Sequence, residues 1–129
     1  MTYTAAEQKN LTIVTQMLEQ VLQPLDPAPV DQFFRPDYVQ HSPMAADGAQ
    51  ALKDFLNWAK GASPDYRHDV KRILVDGDHV VVHAHTVREP GTAGFAVIDI
   101  FRVQDGLIAE HWDALSEVPA ESRNKNGMF

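Results

Sequence analysis

Apolar residues recur at helical spacing near the start of the chain, at Leu11, Val14, Met17, Leu18, Val21 and Leu22. That period predicts a helix from about Ala5 to Leu22 with one core-facing stripe. Thr4-Ala5-Ala6-Glu7 has the form of a capping box, in which the Thr4 hydroxyl and the Glu7 carboxylate each accept a backbone N–H of the first turn. Asp26-Pro27-Ala28-Pro29 ends the helix, because proline has no N–H with which to continue the ladder. A short helical turn follows over Val30–Phe34 and stops before Pro36, and Tyr38–Pro43 is extended or turning. Leu52, Phe55, Leu56 and Ala59 predict a second amphipathic helix from about Gly48 to Lys60, ended by Gly61-Ala62-Ser63-Pro64. Trp58 lies off that stripe and is expected to cover a neighbouring element.

From Tyr66 the period changes to two. Tyr66, His68, Val70, Arg72 and Leu74 would share one face of a strand, with Arg67, Asp69, Lys71, Ile73 and Val75 on the other. Asp76-Gly77-Asp78 is a hairpin signal leading into a strand over His79–Val87. There Val81, His83 and His85 share one face, and Val80, Val82, Ala84 and Thr86 the other. Arg88–Gly94 is a loop, and Phe95–Val103 and Leu107–Asp113 are two further strands joined at Asp105-Gly106. Helices first and then four successive antiparallel strands imply an α+β fold, with helices on one face of a curved sheet and a concave pocket between them. The tail from Val118 is polar and irregular until Met128-Phe129, an ending expected to dock on the rest of the chain.

At 129 residues the chain is read as one domain, residues 1–129, large enough to bury a core without staples. It has no cysteine, which removes disulfides, a thiolate nucleophile and Cys-ligated metal. The formal charge of −7 argues against a phosphate-backbone partner, so no nucleic acid is expected. No apolar run approaches the ~20 residues needed to span a bilayer. Without a membrane partner or a secretory signal at the start, a cytoplasmic location is expected.

Three ionisable residues break the strand pattern. Asp99 lies inside the apolar run Phe95–Val103, and His111 and Asp113 stand two positions apart and share a face, with Trp112 opposite. A carboxylate in an apolar strand is costly unless it is paired or faces a polar cavity. An antiparallel pairing about the Arg88–Gly94 loop brings Asp99 near His83 or His85, and an Asp beside a His fixes the imidazole tautomer. The bland alternative is an ion pair of Asp99 with Arg72 or Arg102. No serine or cysteine nucleophile accompanies these groups in a recognisable elbow, which favours proton transfer over acyl-enzyme chemistry. Gly77, His83-Ala84-His85 and Glu89 have the spacing of the first cupin metal motif. However, Ala96 stands where that motif wants glycine, no second motif follows, and nearly the first half of the chain reads helical. A metal enzyme through His83 and His85 is therefore the weakest of the alternatives, and neither metal nor cofactor is expected.

Tyr38-Val39-Gln40-His41-Ser42-Pro43, Val81–His85, and above all Ile98–Val103 with Asp105-Gly106 and Glu110-His111-Trp112-Asp113 resemble the SnoaL-like branch of the nuclear-transport-factor-2-like (NTF2-like) superfamily. The resemblance runs from about Tyr3 to the end. It implies a cone-shaped α+β barrel, with N-terminal helices packed in a strongly curved, mainly antiparallel sheet to which Tyr38–Pro43 can add a short strand. It also implies a deep apolar pocket for a small hydrophobic ligand and frequently a homodimer. Relatives include cofactor-free polyketide cyclases that close a ring by intramolecular aldol condensation, as well as isomerases, epoxide hydrolases and dehydratases. By this resemblance Asp113, Asp99 and His83 are catalytic candidates, and His111 joins them because it shares a strand face with Asp113. The resemblance puts Tyr38 and His41 at the pocket mouth, and the strand pattern adds His85, Phe101 and Trp112 as further candidates for binding substrate. The expected activity is general acid/base catalysis on a small hydrophobic carbonyl compound. A non-catalytic ligand-binding or dimerisation module with the same pocket is the alternative.

Overall fold

The computed structural model describes residues 2–129. Helix α1 spans Ala5–Met17 and opens with the predicted capping box, Thr4 Oγ1 accepting from Glu7 N–H at 3.1 Å and Glu7 Oε1 from Thr4 N–H at 3.0 Å. It runs directly into a π-helical turn, Leu18–Leu22. The short helix α2 (Val30–Phe33) leads into strand β1 (Phe34–Gln40), and helix α3 spans Ala49–Ala62. Four strands complete the chain: β2 (Arg67–Asp76), β3 (His79–Val87), β4 (Phe95–Gln104) and β5 (Leu107–Glu117). Among the described residues no helix is long and apolar enough to cross a membrane.

The sheet has five strands in the order β1-β5-β4-β3-β2. The four strands from Arg67 onward form the antiparallel meander that the two hairpin signals predict. The fifth, β1, lies parallel to β5 at the sheet edge, with Gln40 opposite His111. Its pairing depends on a partner some 70 residues away, so no local pattern announces it. Predicted Val30–Phe34 and Tyr38–Pro43 thus become one helical turn and a strand between them.

The helices fill the concave side of the sheet. Val14, Met17, Leu18 and Val21 pack with Val80, Val82, Phe101 and Ile108 in one buried cluster. Leu52, Leu56 and Ala59 are the buried stripe of α3. Trp58 corrects one expectation: it is 67% exposed and stands beside Phe55 at the cavity rim, covering no element.

Two β-bulges decide which side chains face inward. On β2 the register shifts between Val70 and Arg72, so Tyr66 and His68 face the helices before the bulge, and Ile73 and Val75 after it. The single alternating face expected from Tyr66 to Leu74 is therefore wrong. Arg72 and Leu74 point out, Leu74 being 55% exposed. On β5 the extra residue is Ala109, because Arg102 pairs with Glu110 and Val103 with Ile108. Without that insertion the side chains in phase with Ile108 would be Glu110 and Trp112. With it they are His111 and Asp113.

Gly94 closes the loop between β3 and β4 with φ +74, where an added Cβ would lie 2.2 Å from the Thr86 carbonyl oxygen. Gly91 in the same loop has φ +80 but open space around it. Gly94→Ala should cost about 2–4 kcal/mol, backbone strain plus a forced shift, and Gly91→Ala about 1 kcal/mol. Urea unfolding of the two variants measures the difference, and equal losses would contradict this packing.

Candidate functional site

A cavity of about 180 Å³ lies between α3, the π turn and the concave face of the sheet. Leu22, Leu25, Phe34, Phe55, Leu56 and Val97 give it an apolar wall. Its polar floor is built from β1, β4 and β5. Asp99 pairs with Asp113 across β4 and β5, so two carboxylates stand side by side. Like charges so placed repel unless a proton or a cation lies between them. The Asp99 side chain is only 9% exposed, and its Oδ1 lies 2.8 Å from His111 Nε2.

The other face of that imidazole is fixed by Gln40. Backbone Ser42 N–H donates to Gln40 Oε1 at 3.0 Å, and a backbone N–H can only donate, so this oxygen is an acceptor. His111 Nδ1 lies 2.7 Å from the same oxygen and must donate to it. The Nδ1 proton is therefore locked, and the proton between Nε2 and Asp99 Oδ1 is the one free to move. Gln40 Nε2 donates in turn to the Tyr38 hydroxyl at 3.1 Å, which leaves the Tyr38 O–H free to donate elsewhere. Phe101 stacks on the imidazole, its ring 4.7 Å from that of His111.

Among the described residues two buried polar atoms have no partner, Asp113 Oδ1 and His68 Nδ1. Both residues line the cavity. Burial pushes the His68 imidazolium below its usual range, against the opposing pull of the Asp99 and Asp69 carboxylates. Burial raises both cavity phenols to about 12, Tyr38 and Tyr66, with Asp99 adding to the rise at Tyr66. Both tyrosines are thus neutral O–H donors at any ordinary pH. Asp99, His111 and Asp113 also offer ligand atoms within 4.8 Å of one another, a spacing that could hold a cation. Such an ion would have to break the Asp99–His111 contact, since the other imidazole nitrogen is committed to Gln40.

Of the residues singled out in the sequence, Tyr38, Asp99, Phe101, His111 and Asp113 come together at the cavity. Four do not. His83 and His85 face outward: β3 buries Val80, Val82, Ala84 and Thr86, and Asp99 is opposite Val82 while His83 is opposite Ile98. His83 Nδ1 instead accepts from Arg72, His85 Nε2 donates to the Ala93 carbonyl at 2.7 Å, and the Phe129 ring packs on both imidazoles. His41 and Trp112 also lie outside, stacked on each other at 4.9 Å. His41 Nε2 lies 2.7 Å from Glu110 Oε2, and His41, ahead of Arg102, lowers that carboxyl. Arg72 and Arg102 are spent on His83 and Glu110, so neither pairs with Asp99.

Tyr66, His68, Thr86, Arg88, Gln40 and Ser42 also belong to the site and were not expected there. For Tyr66 and His68 a signal existed in their i, i+2 spacing, but the mixed polarity of the following residues obscured it. Gln40 and Ser42 fall in the Tyr38–Pro43 segment, but no spacing there marks either as a site residue.

The model of the SnoaL-like domain family matches residues 14–111. No curated protein matches the chain. Solved structures share its architecture at low identity. A proposed SnoaL-like polyketide cyclase from Jannaschia sp. CCS1 is 18% identical, with a TM-score of 0.73 over 89% of this chain and 90% of that one. An NTF2-like protein of unknown function from Mesorhizobium loti is 21% identical, with a TM-score of 0.74 over 89% and 97%. A proposed polyketide cyclase from Acidithiobacillus ferrooxidans is 19% identical, with a TM-score of 0.70 over 89% and 91%. These likenesses carry the fold alone.

The depressed His68 imidazole links stability to pH. In the unfolded chain it takes up a proton near 6.5, whereas in the folded protein it does so only at lower pH. Its contribution is complete above 6.5 and is lost as the pH falls through the folded value. The urea midpoint should therefore drop between pH 7 and pH 5, and His68→Gln should flatten that drop. An unchanged slope in the variant would contradict a buried neutral His68.

Proposed function

The chain belongs to the SnoaL-like domain family, and on that premise we propose that it is a cofactor-free enzyme that moves protons on a small hydrophobic carbonyl substrate. The observation that carries this reading is the unpartnered Asp113 Oδ1, buried at the cavity floor beside the Asp99–His111 pair. A desolvated carboxylate oxygen with no donor is a base waiting for a C–H proton.

In this reading Asp113 takes the proton α to the substrate carbonyl, and the electron pair moves to the carbonyl oxygen as an enolate. The Tyr38 and Tyr66 hydroxyls are the neutral donors that meet the developing charge, inside a cavity whose apolar wall strengthens each hydrogen bond. The enolate carbon then either attacks a second carbonyl of the same molecule, an aldol-type closure, or is reprotonated elsewhere, an isomerisation. The Asp99–His111 pair holds one proton that can return to the product oxygen, and Gln40 keeps the imidazole oriented for that transfer. Asp99 is the second candidate for the base, disfavoured because its Oδ1 is already engaged. The expectations of a homodimer and of a cytoplasmic setting stay with this reading, and the exposure of Leu74 and Ile98 on the outer sheet face supports the first.

The test is exchange of the α protons of α-tetralone in D2O, followed by NMR. The protein should accelerate exchange with a bell-shaped pH dependence. Asp113→Asn and Asp99→Asn should keep the fold and lose at least about 100-fold of the rate. Wild-type exchange in both variants would overturn the proposal. Binding of the ketone without exchange would instead support a non-catalytic binding module.

A further inference from the structure

Arg88 follows the last residue of β3 and is the one lysine or arginine among the residues lining the cavity. Its guanidinium lies over the Phe95 ring, 5.3 Å from the centroid, and its Nη2 is 3.9 Å from Met44 Sδ. Among the described residues it makes no ion pair. Half-buried, with an aromatic ring beneath it and a thioether beside it, this cation has lost water without gaining an anion. It also lies close enough to Tyr66 to lower that phenol against the effect of burial. The guanidinium therefore stands at one end of the cavity, and Tyr66, which feels Asp99 more strongly than Arg88, lies between it and the floor.

The carboxylates stand at the other end. Phe95, under Arg88, is four residues from Asp99 on β4, about 13 Å along an extended strand. Between the two ends the wall is apolar, with Val97, Leu115, Phe55 and Leu56. The chain as a whole carries a formal charge of −7, so its field opposes an approaching anion and a local cation must supply the attraction.

We propose that Arg88 is the anion-recognition residue of this cavity, and that its ligand is an elongated apolar molecule with a carboxylate at the mouth and its carbonyl at the floor. The carbonyl end rests on the acid/base reading given above, whereas the carboxylate end stands without it. The fork of the guanidinium suits a carboxylate in particular, because two parallel N–H groups can meet its two oxygens. Binding from the mouth also orients the ligand, since the two floor carboxylates repel the same anionic group.

The experiment is calorimetric titration of the whole chain with ω-phenylhexanoate and with the neutral ω-phenylhexanol. The acid should bind the wild type at least about tenfold more tightly than the alcohol, and added salt should weaken the acid alone. Arg88→Gln should remove that preference and leave the alcohol unchanged, while Arg88→Lys should keep part of it. Equal binding of acid and alcohol, no binding of the acid at millimolar concentration, or equal weakening of both by Arg88→Gln would overturn the proposal. In Asp113→Asn the preference for the acid should survive. In the wild type, a preference for the acid alongside a failed α-proton exchange would remove the catalytic reading alone, and no preference alongside active exchange would remove the role of Arg88 alone.

Discussion

The site depends on burying one carboxylate. Asp99 is 6% exposed in the middle of an apolar strand, a placement that costs several kcal/mol unless the charge is met. His111 meets it from the neighbouring strand at 2.8 Å. The imidazole can do so only if its other nitrogen is also satisfied, and Gln40 supplies that acceptor from β1. Gln40 is oriented in turn by the Ser42 N–H, and the chain beyond β1 is tied to β5 by His41 N–H to the His111 carbonyl at 2.9 Å. The parallel edge strand is thus part of the proton chemistry, since without it the tautomer of His111 would not be fixed.

Which residues share that cavity follows from two single-residue insertions. The bulge at Ala109 brings His111 and Asp113 into phase with the core and sends Glu110 and Trp112 outward. There they form a separate cluster with His41 and Arg102. The bulge on β2 does the same for Tyr66 and His68, while Arg72 goes out to His83. Both sheet faces carry histidines and aromatics, but only the concave face joins them to buried carboxylates and to an apolar wall.

Much of this was legible from local pattern. The capping box, the amphipathic helix of Leu52, Leu56 and Ala59, both hairpins and the antiparallel meander follow from spacing and turn chemistry. The conflict between Asp99 and its strand pointed to the cavity floor, and the shared face of His111 and Asp113 survived because both lie on one side of the bulge. What failed was register. A hairpin loop of seven residues does not fix which residue of β3 meets Asp99, and a slip of one exchanges Val82 for His83 and reverses the face. His83 and His85 were therefore placed in the pocket. The resemblance puts His41 there with Tyr38, although the two residues stand three positions apart on extended chain and so face opposite sides of the sheet. Gln40 contributes through its contact with His111, 71 residues away, and Arg88 through the end of the cavity that the fold brings to it, for which a single sequence has no local sign.

Membership of the SnoaL-like family accounts for the architecture, and the chemistry must be argued from the floor of the cavity. Its central element is an imidazole with one locked proton and one mobile proton, set between an amide oxygen and a buried carboxylate. Nitrogen-15 NMR of the His111 side chain measures this directly. The account predicts an Nδ1 that stays protonated across the whole titration, with all change confined to Nε2. An Nδ1 that loses its proton while Nε2 keeps one would contradict it.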